Sequence, residues 1–358
     1  HFDCSKLDQW GVVFNHGIAK GMYLHFKLQE TENDDSRGKG KGPGQALDAG
    51  KFGSARKAYL REMIARYGHN LALNWNLGEE NTQTLDELEP MISYIRQTDP
   101  YGHNLVLHTY PNAQDKVYGW FVGRKDMLSG LSIQNSDVSK THKDTLKWVT
   151  RSEAAGHPWI VAFDEAGNAQ VGTPPDPDWP GAREARKKIR KGKRKVKAPT
   201  IHDIRAQVLW GTLMAGGAGV EYYFGYRFPE NDLLAENWRS REKTWNYSRI
   251  ALNFFKDQKI PFVEMENADA LMGNGKNDNW GYCLAKEDGI YLVYLRTVKD
   301  ATIDLSGASG AFSVAWFNPR EGGELVKGSV ESVKGGGVVS LGVPPVNADE
   351  DWVIVVKK

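Results

Sequence analysis

Asn74-Trp-Asn-Leu-Gly-Glu-Glu-Asn81 begins as an apolar strand and ends in paired carboxylates where the strand should stop. Trp159-Ile-Val-Ala-Phe-Asp-Glu-Ala-Gly167 repeats the design further along the chain. Buried strands that close on acids belong to parallel βα folds whose strand ends carry the chemistry. Outward from these two, strands over 23–28, 71–77, 104–109, 130–134, 158–163 and 220–224 alternate with helical apolar periods over 5–20, 55–67, 85–97, 142–155, 204–215 and 241–256. That alternation predicts a parallel sheet with crossover helices. A closed barrel needs eight strands, and this chain shows about six and opens on a helix. An α/β fold follows: a (β/α)8 TIM barrel represented by about six strands, with its first two βα units upstream. An open doubly wound sheet also accommodates six strands.

After Pro261 the periodicity changes. Trp280–Ala285, Ile290–Leu295, Phe312–Phe317, Val338–Leu341 and Trp352–Val356 are short strands separated by Gly, Asn and Asp. Lys286-Glu-Asp-Gly289 is a hairpin turn between the first pair. Residues 1–260 are therefore expected to form the barrel domain and residues 261–358 a small antiparallel β-sandwich.

The 358 residues carry a formal net charge of +1, which argues against a general nucleic-acid binder. No apolar run approaches the roughly 18 residues of a membrane span, so no membrane partner is expected. The chain opens at His1 without a leader pattern and is taken as a processed product or a fragment. Cys4 and Cys283 match no zinc spacing and suggest two buried free thiols. Twelve Trp suit a protein that stacks on sugar rings and suit a core equally well.

Two segments after strands break the pattern. Residues 33–53 are polar and Gly-rich and are expected to be flexible. Residues 168–200 begin Pro-rich, and ten Lys or Arg against one Glu lie between Arg183 and Lys197, which leaves the remainder of the chain net acidic. A solvated or disordered linker is the plain expectation for that run; the sharper one is attraction of a sulfated or uronate-bearing polysaccharide.

If the two acidic turns converge, one carboxylic acid can protonate a glycosidic oxygen while the other attacks the sugar. Trp75-Asn-Leu-Gly-Glu-Glu80 resembles the fourth-strand end of clan-A glycoside hydrolases, and Pro158-Trp-Ile-Val-Ala-Phe-Asp-Glu-Ala-Gly167 resembles their seventh. Asp99-Pro-Tyr-Gly-His103 with Leu107-His108-Thr-Tyr110 is similar to the approach to their fifth strand. With the C-terminal strands, the arrangement resembles bacterial secreted hydrolases that end in a collagen-binding-type domain. The resemblance implies a secreted or periplasmic glycosidase acting on a polysaccharide or oligosaccharide by a retaining mechanism, with Glu80 as acid/base and Glu165 as nucleophile. Glu79 stands where the family pattern has Asn, so the acid role could pass to it.

Gln29 or Glu30, His108, Tyr110, Gln134 or Asn135, Tyr222 or Tyr223, and Trp238 lie at strand ends or on the rim and are candidate substrate contacts; only one of each adjacent pair on a strand can face inward. Trp210, in an apolar helix, is expected in the core. Glu30, Glu32, Asn33, Asp34 and Asp35 are oxygen-rich but lack EF-hand spacing, so no metal is expected. Gly38-Lys-Gly-Lys-Gly42 lacks a P-loop's strand–loop–helix setting, and no cofactor is implied. A segment completing the barrel is the expected partner. The rival expectations are a non-catalytic polysaccharide- or matrix-binding protein and a polysaccharide lyase.

Overall fold

The computed structural model describes residues 2–29, 47–191, 196–299 and 301–358. Glu30, the oxygen-rich group after it and most of the Gly-rich segment lie outside the described residues. The chain divides into two compact units, residues 1–134 with 150–160, and residues 135–149 with 161–358.

In the first unit, strands β1 (Leu24–Lys27), β2 (Leu73–Asn76), β3 (Asn104–Leu107) and β4 (Gly130–Gln134) follow helices α1 (Cys4–Ala19), α2 (Ser54–Tyr67), α3 (Leu85–Thr98) and α4 (Gln114–Gly119). β1 pairs in parallel with β2 from Leu24↔Leu73 to Lys27↔Asn76, β2 with β3, and β3 with β4. β2 is buried at every position, as a parallel strand covered on both faces must be. Thr84 and Glu87 form a capping box that starts α3. The Asp99-Pro-Tyr-Gly-His103 element is a turn built around one carboxylate. Asp99 accepts from the backbone N–H of Tyr101 and His103, from His103 Nδ1 at 2.7 Å and from Trp75 Nε1 at 3.1 Å. Burial alone would raise its pKa, yet these donors hold it below the usual carboxylate range.

Helix α5 (Thr141–Ala154) and strand β5 (Ile160–Glu165) contribute residues to both units. In the second unit, β5 pairs in parallel with β6 at Ala162↔Gly219 and Phe163↔Val220. β6 is only Gly219–Val220, shorter than the strand expected over 220–224. The chain leaves the sheet there because Tyr223 gives its carbonyl to the loop residue Thr173 (2.6 Å) and Gly225 turns at φ +70°. A helical stretch from Ile201 to Leu213, π-wound over Ile204–Trp210, precedes β6. The pairings within each unit follow chain order without the reversal of a doubly wound sheet. Six parallel βα strands in the manner of a partial (β/α)8 barrel thus precede the antiparallel part.

The basic run Arg183–Lys197, expected as a solvated or disordered linker, falls in its first nine residues within a helix, α6 (Ala182–Lys191). It is held because Ala185 and Ile189 recur four residues apart and pack with Val171, Ala198 and Phe228. Helix α7 (Glu242–Asp257) closes this part.

Strands β7 (Glu266–Asn267), β8 (Gly281–Lys286), β9 (Ile290–Leu295), β10 (Ala301–Asp304), β11 (Ala311–Phe317), β12 (Ser332–Lys334), β13 (Val338–Gly342) and β14 (Trp352–Lys357) complete the chain. Six of them form an antiparallel sheet in the order β12-β11-β14-β9-β8-β7, and β10 pairs with β13. One face of the larger sheet (Tyr282, Leu284, Leu292, Tyr294, Val353) packs with Leu209, Trp210, Ile250 and Phe254. Its other face (Cys283, Val293, Ile354, Val356) packs with Ile303, Leu305 and Leu341. Trp210 is a core residue, as its apolar helix implied. Both cysteines are free, but only Cys283 is buried; Cys4, expected buried, starts α1 at the surface.

Candidate active site

The first acidic turn follows from β2. Asn76 accepts from Gly78 N–H (3.1 Å), Glu79 N–H reaches Gln29 O (2.9 Å), and Asn81 N–H reaches His108 O (3.0 Å). The backbone is thereby tied to the ends of β1 and β3. Glu80 adopts φ +40°, the left-handed region that a glutamate rarely occupies. That twist defeats the strand rule that adjacent side chains diverge. Glu79 Oε1 lies 3.2 Å from His108 Nε2, while Gln134 Nε2 lies 3.2 Å from Glu80 Oε1 and 2.6 Å from the same His108 nitrogen. Both carboxylates therefore reach one imidazole–amide pair, and His108 is fully buried. His108 Nε2 can donate to Glu79 or accept from Gln134 but cannot do both.

Lys27 was not foreseen. Its Nζ lies 2.7 Å from Glu79 Oε2, with both side chains largely buried. The signal is available: a lysine ending a half-buried strand gains from an anion, and Lys27 pairs in register with Asn76, just before the acidic turn. Beside it His25 is held by Asn74, Asn76 and Ser132. Among the other candidates, Gln29 uses its amide on Leu77 O and Gln83, both at 2.7 Å, which anchors the turn. Tyr110 is half-buried just beyond β3.

The second acidic turn ends β5, where Asp164 is buried and Glu165 half-buried. Asn135 clips it: its N–H donates to Glu165 O (3.0 Å), its Oδ1 accepts from Gly167 N–H (3.0 Å), and its amide reaches Asp144 (3.1 Å).

Tyr223 donates to Ala169 O (3.0 Å) and meets Tyr226 edge-on. Its hydroxyl is driven well above its ordinary pKa by burial first, then by Tyr226, with the Glu165 charge adding to the rise. Gly172 makes this placement possible: a Cβ there would lie 2.4 Å from Tyr223 O. Tyr222 turns to Ser248 (3.0 Å) and Trp245. Trp238 is 62% exposed and packs one edge on Phe224 and Trp245, leaving a ring available for stacking. Under Phe224 the buried Arg241 guanidinium stands 4.0 Å from the ring centroid, its pKa lowered to about 10 by burial.

Residues 268–357 match the family model described as "Putative collagen-binding domain of a collagenase". Curated proteins give no match to the chain. Among solved structures, the chain is similar to a glycoside hydrolase family 5 protein from Bacteroides vulgatus ATCC 8482, with a TM-score of 0.66 and 16% identity over 98% of this chain and 74% of the other. A second structure, described as a glycoside hydrolase, gives a TM-score of 0.60 and 16% identity over 85% of this chain and 68% of its own. No helix among the described residues is long and apolar enough to cross a membrane. The chain has the (β/α)-barrel fold of these glycoside hydrolases, in partial form, and ends in a domain of the collagen-binding type.

Proposed function

We propose that this chain is part of a retaining glycoside hydrolase in which Glu80 is the acid/base and Glu165 the nucleophile. The observation that carries the proposal is the convergence of Glu79 and Glu80 on His108 and Gln134 at the end of β2, with Glu80 held in a left-handed conformation. Unfavourable backbone of this kind persists where the surroundings impose it, and it concentrates at functional sites. Glu79 is engaged by Lys27 and His108, which suits an orienting role. Glu80 meets the Gln134 amide, and the acid/base role falls to it. In the first step the Glu80 carboxylic acid protonates the leaving oxygen as the Glu165 carboxylate attacks the anomeric carbon. In the second, Glu80 takes a proton from the water that releases the sugar. The step needs no redox cofactor.

His108, Gln134, Tyr223 and Trp238 are the proposed substrate contacts, and full activity is expected to require the βα units that complete the barrel. The substrate would be a glycan met outside the cytoplasm. The match of residues 268–357 favours one second reading, a matrix- or polysaccharide-binding protein without catalysis.

Hydrolysis of a glycan panel by the chain together with the βα units that complete its barrel, with product anomers followed by NMR, tests both. The wild type should yield products of retained configuration, and E80Q and E165Q should each lose roughly 10²–10⁴-fold in kcat/KM. Full activity in both variants refutes the assignment. Binding without any cleavage selects the second reading.

A further inference from the structure

The ten residues of α6 carry six cations, Arg183, Arg186, Lys187, Lys188, Arg190 and Lys191, against the single acid Glu184. Arg186 is turned inward. Its guanidinium stands over the Phe228 ring at 5.5 Å and donates to the carbonyls of Ala198 and Pro199. The other five cations are exposed, and among the described residues no carboxylate lies within ion-pair distance of them. Arg183 and Lys187, and Lys187 and Lys191, repel each other at a spacing of four residues. The packing of Ala185 and Ile189 holds the helix despite this repulsion, which a bound anion would relieve.

Beside the helix lies a cleft of about 480 Å³ lined by Gly181, Glu184, Lys188, Arg227, Phe228 and Pro229. Its chemistry is mixed in a specific way. Lys188 and Arg227 offer two cations, Phe228 and Pro229 an apolar wall, and Glu184 an acceptor for hydroxyl groups. A bare phosphate backbone has no use for Glu184. A sugar ring bearing one acidic substituent uses all three. Hydrogen bonds and ring contacts link one wall of the cleft to Tyr223: Gln170 O accepts from the N–H groups of Tyr226 and Arg227 (3.1 and 3.0 Å), and the Tyr226 ring meets Tyr223 edge-on.

We infer that the cleft between α6 and Arg227 is a subsite for an acidic sugar unit, its carboxylate or sulfate held by Lys188 and Arg227. The inference rests on the glycan reading of the neighbouring site and names its substrate class. Binding to the whole chain, measured by calorimetry with polygalacturonate, a sulfated galactan, a neutral β-glucan and duplex DNA, tests it. The polygalacturonate and galactan arms separate carboxylate from sulfate.

At low salt the wild type should bind at least one acidic glycan, more weakly as NaCl rises. The K188Q/R227Q double variant should lose roughly 3–10-fold in that affinity while binding of neutral glucan is unchanged. K187Q/K191Q, away from the cleft, should lose less. Equal affinity of wild type and K188Q/R227Q for every acidic glycan overturns the inference, as does duplex DNA binding as tightly with the same loss. Acidic glycan held in the cleft but never cleaved removes only the hydrolase reading; cleavage of neutral glycan without acidic binding removes only the subsite.

Discussion

Glu80 concentrates the chemistry of the first acidic turn in one backbone angle, φ +40°. A left-handed conformation costs a non-glycine residue about 1–2 kcal/mol, whereas glycine adopts it freely at an entropic cost of about 0.5–1 kcal/mol. The neighbouring Glu79 has no such strain and holds an ion pair with Lys27. The variants E80G and E79G should therefore diverge. Both lose activity, but E80G is expected to be about 1–2 kcal/mol more stable than E79G in urea unfolding. Equal stabilities would show that the angle stores no strain. Strand alternation allows one of two adjacent glutamates to face inward, and nothing in Glu79-Glu80 announces the twist that brings both to His108 and Gln134. The partners His108 and Gln134 were legible as strand-end polar residues; the angle that joins them was not.

Helix α6 shows the same division between pattern and context. Its charges obscure an apolar pair, Ala185 and Ile189, whose burial against Phe228 becomes evident only when the rest of the loop is in place. Ile189 is 2% exposed, and I189A should cost roughly 2–5 kcal/mol locally. Amides over 182–191 should then exchange with solvent faster while those of β8 and β9 do not change; uniform acceleration would show that the helix is no separate unit. Elsewhere the strands were readable because their apolar content is set by coverage. Ile290–Leu295 is buried at every position, between helices on one face and the small sheet on the other. β10 and β12 are not evident in the sequence because Ala301–Asp304 and Ser332–Lys334 are short and pattern polar residues outward. β6 is shorter than its sequence implies, since Tyr222-Tyr223-Phe224 has the composition of a strand and is diverted by backbone partners in another loop.

At the scale of the whole molecule, alternating strands and helices made the partial barrel legible, while the ion pairs that tie distant segments were not, because no local pattern brings Arg205 to Asp351. Asp351 is fully buried. It accepts from Arg205 Nε and Nη2 (2.8 and 2.7 Å), Tyr294 OH (2.7 Å) and Arg320 Nη1 (3.2 Å), joining the π-wound helix to the start of β14. Burial would raise its pKa, but Arg205 and Tyr294 hold it below the ordinary carboxylate value. A carboxylate depressed in the folded state contributes stability above its unfolded pKa of about 3.9, and that contribution is lost as pH falls through the folded value. Asp203 acts with the same sign, since Thr200 and Arg296 outweigh its burial. Asp144 and Asp176 act oppositely: burial raises their pKa, so their protonation in acid favours the folded state. Replacing Asp351 also leaves Arg205 and Arg320 without their buried anion, a loss of roughly 3–5 kcal/mol. D351N should therefore be less stable than the wild type by that amount at pH 7 in urea unfolding. The gap should narrow as the pH falls below about 3.9, because the wild type surrenders the same interaction by protonation. A gap that stays constant through the acid range would show that Asp351 does not set the acid limit of stability.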